Sequence, residues 1–153
     1  MTTIAVDKHG SIASDGQTTF GPFRSFSGVR KIMVGKTAVY GCAGDGGMME
    51  ALIRWHEAGA DPEKAPKGDW IMLVCDGATV CQVSDSARYL VPIDLPWGIG
   101  NVGEVALGAM LHGASAEEAV RLVATRHVHT GGEIQVVDIA EALGITPVRE
   151  AAE

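Results

Sequence analysis

Apolar and polar positions alternate with a period of two at the start of the chain. TTIAVD and SIASD are runs of strand formers on either side of KHG, a pattern that predicts a hairpin. VRKIMVG and TAVYGCAG read as two further strands about a short turn at Gly35 and Lys36, the second ending in small residues. WIMLVCDGATVCQVS is the clearest hairpin, two apolar runs joined through Asp-Gly, and EIQVVDIA reads as one more strand. The period changes in GDGGMMEALIRWHEAG, where Met48, Leu52 and Trp55, with Met49 and His56, fall on one side of a helix that Gly59 is placed to end. WGIGNVGEVALGAMLHG reads as a glycine-rich approach to a second helix. SAEEAVRLVATRHV opens a third, with Ser115 at the N-cap and Glu118 in the capping-box position.

The remaining stretches lack either period. GQTTFGPFRSFSG reads as a loop, ADPEKAPKGD as a polar connector with no helix of useful length, and a further loop holds Pro92 and Pro96. The alanine and glutamate tail after Pro147 is expected to fray. The order of strands, helix, strands, two helices and strand suggests an α+β fold in which two sheets pack together with helices on the outer faces. There is no internal repeat, and the expected organisation is a single domain over 2–140 followed by a C-terminal tail over 141–153.

Composition narrows the function classes. A chain of 153 residues is long enough for one sizeable core. Its 46% hydrophobic residues are broken up before any run reaches the ~20 that a bilayer span needs. Asp7, Lys8 and His9 interrupt anything resembling a secretory signal, so the expected location is cytoplasmic. A net charge of −7 without a basic cluster argues against nucleic acid or an anionic membrane as partner. Cys42, Cys75 and Cys81 have no paired spacing and read as buried, reduced thiols. His9, His56, His112 and His129 read as surface or helix-end residues, and no metal or cofactor is implied.

Candidate chemistry begins at the second residue. Once Met1 is removed, Thr2 carries a hydroxyl and a free amine, so nucleophile and base come in one amino acid. Such a site also needs a cation to hold the amine's pKa down, a carboxylate to orient that cation, and backbone N–H groups aimed at a developing oxyanion. Asp15, Lys31 and the small-residue turn Cys42-Ala43-Gly44 are candidates for these parts, provided the strands bring them together.

TTIAVDKHGSIASDGQ, GVRKIM, and AVYGCAGDGG followed by an amphipathic helix occur in that order. From Thr2 to about Ile139 the chain resembles the threonine peptidases of the proteasome β-subunit superfamily, most of all the bacterial HslV peptidases. The resemblance implies a four-layer αββα sandwich, the N-terminal nucleophile (Ntn) hydrolase fold. In it Thr2 matches the nucleophile, Asp15 the acidic residue, Lys31 the lysine and Gly44 the glycine whose N–H contributes to the oxyanion hole. Three positions depart from the family. Asn101 in GIGNVG replaces a serine, and in RHVHTGG His127 stands at an aspartate and Thr130 at a serine. Asn101 and Thr130 can keep hydrogen bonds near the terminal amine, whereas His127 cannot supply a fixed negative charge. The proline-bearing connector takes the place of a second long helix, so one helical layer is reduced, and Trp97 is placed either to line a pocket or to pack against that thin layer.

The expected activity is hydrolysis of peptide bonds by the N-terminal threonine. The alternatives are a structural proteasome-like subunit whose catalytic set has decayed and a small-amide Ntn amidohydrolase. Asp15 together with Lys31 favours activity. The partners implied are peptide or unfolded protein substrates, further copies in stacked rings with GEVALGAMLHG as a contact surface, and an ATP-dependent unfoldase.

Overall fold

A computed structural model describes residues 2–26 and 29–145. The first hairpin pairs β1 (Thr3–Val6) with β2 (Ser11–Ser14), and these form the centre of an antiparallel sheet flanked by β10 (Trp97–Gly100) and β11 (Gln135–Asp138). A second antiparallel sheet is a meander of β5 (Ile32–Val34), β6 (Val39–Gly44), β7 (Trp70–Cys75), β8 (Val80–Ser84) and β9 (Val91–Pro92). The helices are α1 (Met49–Glu57), α2 (Gly103–Leu111), α3 (Ala116–Ala124) and α4 (Ile139–Leu143).

Period-two alternation divides the side chains of both sheets between two faces. Ile4, Val6 and Ile12 meet Ile32, Val39, Leu73 and Cys75 of the second sheet in one apolar cluster. The intervening Ala5 and Ala13 face Ala106 and Met110 of α2 and Ala119, Val120 and Val123 of α3, where their small size lets the helices come close. On the second sheet Tyr40, Met72, Val74 and Val83 pack with Met49, Leu52 and Trp55 of α1. Burial on both faces explains why these strands read as apolar almost throughout.

The helix boundaries follow local chemistry. Asp45 accepts the Gly47 N–H and opens a short 3-10 turn before α1; Met49, Leu52, Ile53 and Trp55 form its buried side, and Gly59 takes φ +113° beyond its end. His56 is half-buried, its Nδ1 2.7 Å from the Tyr40 hydroxyl. The Ser115–Glu118 capping box is present in both directions. The connector holds only the 3-10 turn Pro62–Lys64.

Several sequence expectations are corrected. WGIG is strand β10 rather than a helix approach, because its glycines let backbone pass close by: a Cβ at Gly98 would strike the Gly103 carbonyl. GQTTFGPFRSFSG contains a small hairpin of β3 (Thr18–Phe20) and β4 (Phe23–Ser25). In EIQVVDIA the strand stops at Asp138, whose carboxylate accepts the Glu141 N–H and starts α4. The expected tail therefore begins inside a helix, and its part beyond 145 lies outside the described residues, as does Met1. Trp97 packs against the inter-sheet cluster rather than the α1 layer, its indole N–H donating to Gln82 Oε1 at 2.7 Å. Among the described residues no helix is long and apolar enough to cross a membrane, and no group of three or more His, Cys, Asp or Glu is gathered for a metal.

Candidate active site

Strand alternation turns Thr3 toward the α2–α3 side, in line with Ala5, and leaves Thr2 on the side of Ile4 and Val6, toward the second sheet. Lys31, just before β5, and Gly44, at the end of β6, are positioned by that sheet. Thr2, Lys31, Cys42, Gly44 and Met49 all line one cavity of about 480 Å³, together with Phe20 of the β3–β4 hairpin. Thr2 itself is buried, and its carbonyl accepts the Asn101 N–H at 2.8 Å. This contact needs Gly100, since a Cβ there would collide with the Thr2 carbonyl.

Asp15 follows β2 and is completely buried. Its Oδ1 accepts the Lys31 ammonium at 2.9 Å and the Thr3 N–H at 3.1 Å, while Oδ2 accepts the Gly131 N–H at 3.3 Å. The Lys31 ammonium also donates to the Gln17 carbonyl at 2.7 Å. Burial lowers the Lys31 pKa from its ordinary value, and the charge and hydrogen bond of Asp15 oppose that shift. The result is an ammonium anchored by a carboxylate at the cavity wall, more easily deprotonated than a surface lysine. Burial pushes the neighbouring Cys42 thiol up to about 12, which keeps it a thiol.

The three departing positions also converge. Thr3 Oγ1 and Thr130 Oγ1 are 2.9 Å apart, Thr130 Oγ1 lies 3.5 Å from His127 Nδ1, and His127 Nε2 lies 3.5 Å from the Asn101 side-chain amide. Gly44, at φ +106°, reverses the chain at the cavity. Thr2, Asp15, Lys31, Gly44, Asn101, His127 and Thr130 thus gather around the start of β1.

Sequence reasoning missed three contributors. Gln17, almost fully buried, offers its carbonyl to Lys31 and donates its amide to the Val128 carbonyl at 2.9 Å; a buried Gln after a glycine was its only signal. Gly131 supplies a backbone N–H, which no side-chain pattern announces. Thr3 was legible from strand alternation once Thr2 was assigned a side.

No family model matches the sequence, and comparison with curated proteins yields no relative. Solved structures do match. Thiobacillus denitrificans BPH in complex with epoxomicin has a TM-score of 0.68 at 16% identity, covering 90% of this chain and 97% of its own. A second structure of Thiobacillus denitrificans BPH gives 0.66 at 17% identity, covering 90% and 96%. Eukaryotic HslV from Trypanosoma brucei gives 0.70 at 18% identity, covering 90% and 98%. At such identities the likeness is one of fold, and that fold is the proteasome β-subunit-like fold of HslV.

Proposed function

We propose that the chain is a threonine-type peptidase, built as a four-layer αββα Ntn-hydrolase domain with a thin α1 layer. The single observation that carries the reading is the buried Asp15–Lys31 pair, 2.9 Å apart, in the wall of the cavity that Thr2 lines. A core has little use for a buried ammonium unless the charge acts on something beside it. Once Met1 is removed, the Thr2 amine takes the proton of its own hydroxyl, and Oγ1 attacks the substrate carbonyl carbon. The Gly44 N–H donates to the oxyanion, and Lys31, held by Asp15, keeps the amine unprotonated by charge repulsion. Collapse of the tetrahedral species breaks the C–N bond as the ammonium returns its proton to the leaving amine. Water, deprotonated by the freed amine, then hydrolyses the acyl-enzyme.

This reading carries peptide or unfolded protein as substrate, no cofactor, a cytoplasmic location, ring-forming copies of the chain and an ATP-dependent unfoldase as partner. Asn101 and His127, in place of the family's serine and aspartate, favour a second reading as a structural subunit with a decayed site. The two separate on one experiment. Protein whose mass lacks one methionine is treated with a peptide epoxyketone or vinyl sulfone; a single adduct on Thr2, lost in Thr2→Ala together with peptide turnover and partly kept in Thr2→Ser, is the expected result. Quantitative retention of Met1, or turnover undiminished in Thr2→Ala, rules the mechanism out.

A further inference from the structure

We infer that His127 is a positioning residue that works as a neutral imidazole with its proton on Nε2, and that this tautomer sets how the ring holds Asn101 beside Thr2 and the 127–131 loop beside Thr3. The inference rests on the peptidase reading for its kinetic consequence only. It starts from a group with no choice of role: the backbone N–H of His129 points at His127 Nδ1 at 3.2 Å, so Nδ1 accepts. A neutral imidazole has one acceptor and one donor, which places the proton on Nε2. Nε2 faces the Asn101 side chain at 3.5 Å, so Asn101 must present its amide oxygen there, by a half-turn of the amide. Thr130 Oγ1 stands between the ring and β1, 3.5 Å from Nδ1 and 2.9 Å from the Thr3 hydroxyl.

The contacts close into a circuit. It runs from the Thr3 hydroxyl through Thr130 and His127 to the Asn101 side chain, and returns through the Asn101 N–H to the Thr2 carbonyl at 2.8 Å. The peptide bond between Thr2 and Thr3 completes it. The same loop donates the Gly131 N–H to Asp15, so whatever displaces 127–131 also disturbs the Asp15–Lys31 pair. Where the resembling family has a carboxylate, this chain has an acceptor on one edge and a donor on the other, as an uncharged imidazole supplies.

Protonation breaks the arrangement. A proton on Nδ1 sets a donor against the His129 N–H and removes the acceptor that holds it. The side chains against the ring are Asn101 from the turn after β10, and Thr130 and His129 from its own loop; His129, with ring centroids 5.6 Å away, is the one among them that titrates. Asp15 reaches the loop through Gly131 and Lys31 lies behind Asp15.

Imidazole nitrogen NMR of the histidine-labelled protein across pH tests the tautomer directly. The expected result is an Nε2–H ring at alkaline pH and a His129 amide resonance that moves on the same titration as the His127 ring. An Nδ1–H tautomer, or a His129 amide indifferent to that titration, overturns the inference. The kinetic arm compares kcat/KM of two variants of the ring. His127→Asn keeps an acceptor near the Nδ1 position, whereas His127→Gln leaves the His129 N–H unanswered and should lower kcat/KM at least about tenfold further than His127→Asn does. Equal kcat/KM in the two variants overturns the inference. Absence of turnover in every protein would instead sink the peptidase reading, and the NMR result would still decide the tautomer.

Discussion

The chemistry of single residues turns on how Lys31 holds its proton. Burial lowers its pKa against the pull of Asp15, so the folded chain binds that proton less tightly than the unfolded chain does. Between the folded and unfolded values the unfolded state carries more protons, so this residue's contribution makes stability rise with pH through that window. Activity runs the other way. On the peptidase reading, loss of the Lys31 charge removes the cation that stabilises negative charge developing at Thr2, so the basic limb of kcat/KM should fall at a pH below the ordinary lysine range. Lys31→Arg retains its charge at every accessible pH and should move that limb upward, at a plateau lowered by about 10²-fold or more because the guanidinium cannot repeat the ammonium's geometry. Equal basic limbs in the two proteins would show that the titrating group is not Lys31. Thr2, Asp15 and Lys31 were legible because their chemistry resides in side chains. Gln17 and Gly131 were not, because each acts through a backbone atom whose direction only the folded loop defines.

Single elements succeed or fail on how closely backbone approaches backbone. Gly44 ends β6 at φ +106°, and a Cβ there would strike the Asp69 carbonyl and the Trp70 Cα of the adjoining strand β7. Gly113, past the end of α2, has a similar φ of +114° with nothing within 4 Å of an added Cβ. Gly113→Ala should therefore cost only the about 1–2 kcal/mol of a left-handed backbone. Gly44→Ala adds the roughly 1–3 kcal/mol of forced overpacking and, by shifting the proposed oxyanion donor, should lower turnover as well. Urea unfolding of both variants checks the ordering, and equal losses would show that β7 yields freely. The same closeness hid β10 from the sequence, since glycines carry no alternating pattern. The β3–β4 hairpin escaped for another reason: its three-residue strands bury too little to show a period, and Phe20 and Phe23 point to solvent at 67% and 74% exposure.

At the scale of the whole molecule, the exposed large apolar residues include one group at the β3–β4 hairpin and another on α2 and α3, besides others such as Val34, Tyr89 and Val91. Phe20, Phe23 and Phe26 stand on or beside the hairpin, and Val105, Leu111 and Leu122 stand on the outer faces of α2 and α3. Monomers rarely expose such clusters, and two different patches suit a head-to-tail contact that closes into a ring. We expect a homo-oligomer by light scattering at micromolar concentration, shifted to smaller species by Phe23→Glu or Leu111→Glu. A strict monomer would refute ring assembly and favour the small-amide hydrolase over a caged peptidase.

Sequence alone determined that β1, β2, β5 to β8 and β11 are strands and that α1 to α3 are helices, through the spacing of apolar residues in the strands and α1, a glycine-rich entry before α2 and a capping box at α3. The Thr2, Asp15, Lys31 and Gly44 candidates were legible in the same way, as residue types in order. Only the tertiary structure decided that Asp15 meets Lys31, that Gly100 admits the Thr2 carbonyl, and that Asn101, His127 and Thr130 close a circuit around β1. Those contacts join residues as many as 127 positions apart, as Thr3 and Thr130 are, and exist only where two sheets and a loop converge. Their hydrogen-bond directions depend on backbone groups whose orientation no local pattern encodes.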